Sequence, residues 1–347
     1  MSAKFDLFYK TLQEQGIQYQ DNKLVPEQFY AAHYEEFYSQ IQSYAQRNKI
    51  HKFLVLTDDL NITNIFPKNL DIKFINTSEI FDVNLSEYDG MHFISIPISV
   101  EVTTAPIAKN IHATFWIEPL LKAAPISLAR ASFGYLLAYF VACGDCYLGF
   151  KLNMLDTYYD TAFQLMKPFF PFLQFKDENV SATNYLLNNM EILVQAQVMA
   201  QVSTSLCNQT TLLNGYEHAI SRGLHFLRLS SHKDLVLHGE QIALGTISSS
   251  ISYEWLLAQN EFDTKKLRSL TEKEASSLIQ KLLSKAPFID AGQDVHKSFL
   301  NDYLIKNERW NKVKENFDTF CLEWPDIKNQ LQQLVLSPIE IEKILTK

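Results

Sequence analysis

Two hydrophobic patterns follow each other along the chain. Up to residue 118, apolar runs of six or seven residues alternate with polar or helical segments, which is typical of buried parallel strands. The runs are KFLVLT (Lys52–Thr57), DIKFIN (Asp71–Asn76), MHFISIP (Met91–Pro97) and HATFWIE (His112–Glu118). After Pro119 the strand pattern ends. The sequence therefore predicts an α/β domain over residues 1–118 and an all-helical domain over residues 119–347.

Two helices are predicted among the strands of the first domain, over Leu7–Gln15 and Pro26–Arg47. Pro26 lies near the first position of the second helix, with Glu27 in its first turn. The apolar side chains of this helix recur every three or four residues: Phe29, Tyr30, His33, Phe37, Ile41 and Tyr44. We interpret this row as a buried stripe.

The second domain is predicted to be a series of helices. Ser127 is expected to cap the first of them, and Thr271 with Glu274 has the spacing of a capping box. The predicted bounds are Ser127–Phe150, Thr157–Met166, Ala182–Leu206, Leu212–Leu227, His238–Gln259, Glu272–Leu283, Asp294–Lys306, Lys312–Phe320 and Asp326–Val335, with a last short helix from Pro338.

Charge and composition exclude several classes of protein. The net charge is −8, and no basic run is longer than Lys265-Lys266, which argues against nucleic-acid and membrane partners. The apolar run Tyr135–Cys143 is about half a membrane span, and the N-terminus has no export-signal pattern. Four cysteines do not make a disulfide framework in a chain of this size. We expect a cytoplasmic protein.

Glycine is scarce. The chain has 10 glycines in 347 residues, about 3% against a usual ~7%, and no two lie within four residues of each other. Cradles for dinucleotides and for phosphates need clustered glycines, because the backbone must approach the phosphate closely. Neither kind of cradle fits this sequence.

Three segments carry a resemblance to a known family. They are FWIEPLLKAAPISLARASFGYLLAYF (Phe115–Phe140), NGYEHAISRGLHFL (Asn214–Leu227) and LHGEQIALGTI (Leu237–Ile247). In order and spacing they resemble the metal-binding domain of glycerol-1-phosphate dehydrogenases, within the superfamily of iron-containing alcohol dehydrogenases and 3-dehydroquinate synthases. The resemblance implies a dehydroquinate synthase-like fold, whose α/β domain is here a degenerate form of the dinucleotide-binding type.

The resemblance also implies a metal site. In the family, zinc or iron is held by an acid and two histidines, and it polarises the substrate oxygen for hydride transfer. The family histidines fall on His218 and His238. The family acid follows the glycine of the FG motif, where this chain has Tyr135. A phenol is a poor ligand near neutrality, so the predicted metal site is left with two ligands.

The remaining family positions also depart from the pattern. A second active-site histidine of the family is replaced by Arg222. The segment Asn84–Gly90, where the family has its glycine-rich turn, holds one glycine, and only Glu101 stands near a further acidic position. NAD binding is therefore not expected, and zinc or iron is left open. We predict that Tyr135, His218, Arg222 and His238 line the site.

Other candidates are better explained by packing. Cys143 and Cys146 have CxxC spacing but are expected to be ordinary buried thiols. Glu240 suits the first turn of a helix as well as it suits acid–base chemistry. His225 and His232 lie between the two family histidines and would join a metal site only by rearrangement.

Three functions remain open. The first is an enzyme that uses the interdomain cleft for chemistry on a small molecule without NAD. The second is a non-catalytic protein that keeps the fold for partner binding. The third is a metal- and NAD(P)-dependent polyol-phosphate dehydrogenase with an unrecognised cofactor loop. The resemblance also allows a homodimer.

Overall fold

The computed structural model describes residues 3–18, 24–56, 64, 66–75, 90–93, 113–175, 180–207, 215–230, 233–234, 236–263, 268–284, 292–315 and 317–346. The protein is mostly helical with a few parallel strands, which agrees with an α/β part joined to a helical part. It forms two compact units. The first comprises residues 1–129 and 180–202, and the second comprises residues 130–179 and 203–347. The predicted domain boundary after residue 118 stays a prediction.

All strand pairs of the first unit are parallel among the described residues, as predicted. Strand β1 pairs with β5, and β2 lies between β3 and β4. The bounds are Glu27–Ala31 for β1, Lys52–Leu56 for β2, Asp71–Ile75 for β3, Gly90–Phe93 for β4 and Ala113–Ile117 for β5. Four strands lie within one residue of their predicted starts, and the predicted continuation of β4 to Pro97 falls outside the described residues.

The prediction of a single helix over Pro26–Arg47 is wrong, because residues Glu27–Ala31 form strand β1 instead of the first turns of that helix. Phe29 lies opposite Phe115 in the parallel register, and the two rings stack with centroids 4.6 Å apart. Helix α2 begins only at Tyr34, where the Nδ1 of His33 accepts the Glu36 N–H at 3.2 Å. Strand pairing and aromatic packing thus override a helical spacing of apolar residues.

Of the rest of the predicted stripe, the residues inside α2 are buried as expected, whereas the side chain of His33 is 65% exposed. Phe37, Ile41 and Tyr44 of α2 (Tyr34–Asn48) are all 6% exposed or less. Phe37 and Ile41 join the core of the strands, whose buried members include Phe53, Val55 and Ile117. Helix α1 (Asp6–Glu14) lies in the same unit, and its Phe8 N–H donates to Gln195 Oε1 at 3.0 Å.

Helices make up the remaining described elements. Their bounds are α3 Glu118–Ala123, α4 Ile126–Leu136, α5 Tyr139–Lys151, α6 Asp160–Met166, α7 Phe170–Leu173, α8 Ala182–Asn188, α9 Met190–Cys207, α10 Tyr216–Ser230, α11 His238–Leu257, α12 Glu272–Leu283, α13 Gly292–Glu315, α14 Phe317–Leu334 and α15 Pro338–Leu345. The capping box of Thr271 and Glu274 is confirmed at the start of α12.

Several predicted helix boundaries are wrong. The helix predicted over Ser127–Phe150 is divided into α4 and α5, and it starts at Ile126, so Ser127 lies inside its first turn. The helix predicted over Ala182–Leu206 is divided into α8 and α9. Conversely, α13 runs through the predicted break after Lys306.

Helix α14 continues through Pro325, where the sequence predicts a break. An internal proline costs roughly 3 kcal/mol in lost hydrogen bonding and crowding. Here its neighbours Trp324 and Ile327 are buried at 2% and 0% exposure, and the Trp324 indole donates to the Gln259 carbonyl at 3.0 Å. Core packing of this kind offsets the cost.

One segment of the described residues, Ile126–Lys151, is long and apolar enough to cross a membrane. Its most apolar stretch is 61% buried inside the protein, and a turn at Leu137–Ala138 interrupts the helix between α4 and α5. Buried core helices of a soluble protein have this same composition, so the segment is weak evidence for a membrane.

Glycines allow three helices of the second unit to approach closely. A Cβ on Gly245 of α11 would collide with the Glu217 carbonyl of α10, and a Cβ on Gly239 of α11 would collide with the Ala131 carbonyl of α4. A Cβ on Gly134 of α4 would lie 2.7 Å from the Gly239 carbonyl. The residues of α4, α10 and α11 near these contacts are therefore held together by backbone proximity.

The close approach at Gly245 can be tested with a matched pair of substitutions. Gly245→Ala and Gly223→Ala both place a methyl group inside a helix, but a Cβ on Gly223 has nothing within 4 Å. We expect Gly223→Ala to stabilise the protein by about 0.5–1 kcal/mol through helix propensity. Gly245→Ala should instead destabilise it by about 1–3 kcal/mol through overpacking. Thermal melts followed by circular dichroism measure both, and equal shifts would contradict the close approach.

Candidate functional site

Three of the four predicted site residues form a cluster of rings in the second unit. The centroid of Tyr135 on α4 lies 5.8 Å from that of His218 on α10 and 6.0 Å from that of His238 on α11. The two imidazole centroids are 5.4 Å apart. His218 is 6% exposed, whereas Tyr135 and His238 are half-buried. The glycine contacts described above bring these three helices, and hence these three rings, together.

Glu217 fixes the orientation of His218. Its Oε1 lies 2.8 Å from His218 Nδ1 and also accepts the Gly215 N–H at 3.0 Å. A carboxylate accepts hydrogen bonds, so Nδ1 carries the proton and Nε2, on the opposite side of the ring, carries the lone pair. Glu217 is fully buried, which keeps water from competing for this contact.

A chain of hydrogen bonds sets the tautomer of His238 in the same way. The Val236 carbonyl accepts from Gln241 Nε2 at 3.1 Å, so Gln241 Oε1 is the atom that accepts from Ser221 Oγ, also at 3.1 Å. The Ser221 proton is used there, and its oxygen lies 3.5 Å from His238 Nδ1. This long contact is favourable only if Nδ1 bears the proton, which leaves the lone pair on Nε2.

Tyr135 is a proton donor rather than an anion. Burial, with a smaller contribution from the nearby Glu217 carboxylate, raises the pKa of Tyr135 to about 12. The phenol is therefore protonated at neutral pH. The cluster as a whole presents two imidazole acceptors and one phenol donor.

The cluster does not fit a tightly held metal. Two imidazoles can ligate zinc or iron, but the third position holds a protonated phenol, and structural and catalytic zinc sites use at least three protein ligands. Within the described part of the chain, no three His, Cys, Asp or Glu side chains are arranged to hold a metal ion. His225 is on α10 two turns after His218, and His232 lies outside the described residues.

The fourth predicted residue, Arg222, is exposed on α10 while its neighbour Ser221 is buried. Arg222 follows His218 by four residues, so the two lie on the same face of α10, one turn apart. Of the predicted cofactor segment, only Gly90 is described, as the first residue of β4, and Glu101 lies outside the described residues. The expectation that the chain does not bind NAD therefore stays a prediction.

Asp145 on α5 is a half-buried carboxyl group that no sequence motif had indicated. Its Oδ2 accepts the Tyr216 N–H at 2.6 Å and its Oδ1 accepts the Tyr253 hydroxyl at 2.6 Å. It thereby caps the N-terminus of α10 from another helix, one residue before Glu217. The signal available in the sequence was an acid inside an otherwise apolar helix.

Two carboxyl groups meet beside Gly215. A Cβ at Gly215 would meet both Asp145 Oδ2 and Glu217 Oε2, so this position suits glycine. Glu217 Oε2 is buried and has no hydrogen-bond partner among the described residues. The pKa of Asp145 is raised to about 6, mainly by burial and to a smaller extent by the nearby Glu217 carboxylate.

The CxxC pair consists of buried thiols, as predicted. Cys143 and Cys146 are free and buried, and burial raises the pKa of the Cys143 thiol. Cys143 Sγ lies 3.1 Å from the carbonyl oxygens of both Tyr139 and Leu334, which share its single S–H as acceptors. A thiol in this environment is packed rather than reactive.

No protein-family model matches the chain, and no curated protein matches its sequence. The family resemblance therefore rests on the three quoted segments alone.

Asp145 predicts a dependence of stability on pH. Its pKa is raised from 3.8 to about 6, so the folded protein holds the proton more tightly than the unfolded chain. The stability from this group is full below pH 3.8 and is lost as the pH rises through about 6. In Asp145→Asn the side chain is uncharged over this whole pH range, and its amide oxygen can still accept the Tyr216 N–H.

We expect the free energy of unfolding of Asp145→Asn to rise relative to wild type by on the order of 2–3 kcal/mol between pH 4 and pH 7. Melting curves across this range measure the difference. Asp302→Asn, at an exposed position of α13, is the control and should run parallel to wild type. Parallel curves for Asp145→Asn would show that this carboxyl group is not perturbed.

The hydrogen-bond pattern also predicts both histidine tautomers. At alkaline pH, ¹⁵N NMR of the imidazole rings should find His218 and His238 protonated at Nδ1 and unprotonated at Nε2. His218→Gln and His238→Gln provide the assignments. A signal from an Nε2–H form of His218 would contradict the contact with Glu217.

Proposed function

We propose that the protein is an acid–base enzyme that acts on a small molecule without NAD or a tightly bound metal. The observation that carries this proposal is the 2.8 Å contact between Glu217 Oε1 and His218 Nδ1 beside Tyr135 and His238. A histidine that is oriented by a buried carboxylate is a common general base.

His218 is the proposed base. With Nδ1–H held by Glu217, its Nε2 lone pair is the atom that takes a proton from the substrate. The Glu217 carboxylate stabilises the imidazolium that forms, as an orienting carboxylate does in catalytic triads. Glu217 is a positioning residue in this scheme, because it acts through His218.

Tyr135 is the proposed hydrogen-bond donor. A phenol with a pKa of about 12 keeps its proton at neutral pH and can stabilise negative charge that develops on a substrate oxygen. His238, with its Nε2 lone pair, supplies a second acceptor that can orient a substrate hydroxyl. Proton abstraction next to a carbonyl or hydroxyl group is the reaction class that this set of donors and acceptors suits.

The proposed ancestry is a dehydroquinate synthase-like fold derived from a glycerol-1-phosphate dehydrogenase. Parallel strands followed by helices support it, as does the placing of both family-like histidines in one cluster. Gly134, Gly239 and Gly245, which belong to the resembling segments, all lie at close helix contacts. A cytoplasmic location belongs to the same proposal.

A second function is favoured by one observation. Arg222, which takes the place of a family active-site histidine, is exposed on α10. Loss of both this histidine and the acidic ligand suits a non-catalytic protein that works by partner binding. In that case Glu217, His218, Ser221 and His238 serve only to join α10 to α11.

Exchange of substrate protons with solvent tests the enzyme proposal. The protein is incubated in D₂O with a panel of polyol phosphates, sugar phosphates and hydroxy or keto acids, and deuterium incorporation is followed by proton NMR. We expect exchange in at least one compound and a rate about 10²–10⁴-fold lower in His218→Gln. His225→Gln, a half-buried histidine on the same helix, is the matched control and should keep the wild-type rate.

Other outcomes separate the alternatives. Exchange that is unaffected by His218→Gln would remove His218 as the base. No exchange with any compound, in a folded wild type, would favour partner binding. Stoichiometric zinc or iron on elemental analysis, or saturable NADH binding by fluorescence, would favour the dehydrogenase instead.

A further inference from the structure

Two carboxyl oxygens that the proposed reaction does not use meet beside Gly215 in the second unit. The point at which a Cβ of residue 215 would lie is 2.6 Å from Glu217 Oε2 and closer still to Asp145 Oδ2. Because glycine has no side chain, there is space beside both oxygens. Oxygen ligands bind calcium at about 2.3–2.6 Å, so these two oxygens are close enough to each other to share one ion.

Only one of the two carboxylate oxygens of Glu217 is hydrogen-bonded. Oε1 accepts the Gly215 N–H at 3.0 Å and lies 2.8 Å from His218 Nδ1. Oε2 is buried and has no hydrogen-bond partner among the described residues. Glu217 as a whole is 0% exposed, and burying a carboxylate oxygen without a partner is costly. Its position beside Asp145 therefore calls for a proton, a water molecule or a cation.

No lysine or arginine of the described part of the chain forms an ion pair with either carboxyl group. Glu217 contacts the imidazole of His218. Asp145 accepts from the Tyr216 N–H and the Tyr253 hydroxyl, which are both uncharged. With a pKa of about 6, Asp145 is mostly ionised at pH 7.5. Negative charge is thus left uncompensated by the side chains around it, which favours a cation over a water molecule.

A third oxygen, that of Ser249 on α11, lies at the same level of the fold. Ser221 of α10 donates to Gln241 of α11 at 3.1 Å. One turn earlier on α10 and one turn later on α11, a Cβ on Gly245 would collide with the Glu217 carbonyl. The two helices are therefore antiparallel, and one further turn along α11 places Ser249 level with the start of α10.

The Ser249 hydroxyl differs from the other hydroxyl groups in this part of α11. Each of the others donates to a backbone carbonyl, namely those of Thr246, Ser248, Ser250 and Ser252. Ser249 Oγ is buried and has no hydrogen-bond partner among the described residues. One turn beyond Ser249 on the same face, the Tyr253 hydroxyl reaches Asp145 Oδ1 at 2.6 Å. The space at the start of α10 is thus bordered by a second buried oxygen without a partner.

We propose that Asp145 Oδ2 and Glu217 Oε2 bind a hard divalent cation, Mg²⁺ or Ca²⁺, with Ser249 Oγ as a further ligand. All three ligands are oxygens, which favours these ions over zinc or iron. Two carboxylates match the charge of a divalent ion, and half-buried Asp145 opens the site to the water molecules that complete its coordination. The site is distinct from the metal position that the family resemblance implies, because His218 turns Nδ1 toward Glu217 and Nε2 away from it.

Isothermal titration calorimetry of the full chain with MgCl₂ and with CaCl₂ at pH 7.5, after dialysis against EDTA, tests the proposal. We expect one ion to bind per chain, with a dissociation constant of about 1 mM or below for at least one of the two metals. Asp145→Asn removes a charged ligand and still accepts the Tyr216 N–H, and it should weaken binding at least about tenfold. Asp302→Asn, exposed on α13, is the matched control and should bind like the wild type.

Two further measurements keep the test decisive. Ser249→Ala removes a ligand without changing the charge, and it should also weaken binding if Asp145→Asn does not fold. Because Glu217 contacts both the ion and His218, the metal should shift the imidazole ¹⁵N resonances of His218 but not those of His225, which is half-buried on the same helix.

Two results would overturn the cation site. One is the absence of saturable binding of either metal up to about 10 mM, the weak end of specific association. The other is binding that neither Asp145→Asn nor Ser249→Ala weakens, because the ion would then lie elsewhere. These measurements follow binding rather than turnover, so failure of the proposed acid–base reaction would leave their outcome unchanged.

Discussion

The close backbone approach of α4, α10 and α11 is the constraint on which the candidate site depends. Gly239 and Gly245 lack the Cβ atoms that would collide with the carbonyls of Ala131 and Glu217. Only at this separation can Tyr135, His218 and His238 come within about 6 Å of one another. The close arrangement of the three rings therefore depends on glycine at positions 239 and 245.

Buried charge is concentrated at the start of α10. Glu217 and Asp145 both accept backbone N–H groups there, so the positive end of the helix dipole partly offsets the cost of burying two acids. The offset is incomplete, since the pKa of Asp145 is raised and Glu217 Oε2 has no partner among the described residues. Such an arrangement costs stability, and its benefit is the fixed orientation of His218.

Helix α11 connects this site to the surface. One of its faces carries His238 and Gln241 toward the ring cluster, and another exposes Leu244, Ile251 and Trp255 to solvent. Gly245 lies on the first of these faces, with His238 and Gln241, and sets the distance from α10.

The sequence determined the local features of this protein. Short apolar runs predicted four of the five described strands, and the capping box predicted the start of α12. The family-like segments pointed to His218 and His238, whose rings lie 5.4 Å apart. Local periodicity failed at Pro26–Arg47, because pairing with β5 is a contact between residues far apart in the chain. It failed again at Pro325, where core packing maintains a helix that local preference would end.

Only the tertiary structure decided the chemistry of the site. The partners of Asp145 are 71 and 108 residues away, so neither its capping role nor its perturbed pKa could be inferred from its sequence neighbours. The exposed position of Arg222 and the tautomer of His238 likewise depend on packing between helices. Sequence specifies which groups are present, whereas burial and hydrogen-bond partners determine which protons they hold, because both arise from residues that are distant along the chain.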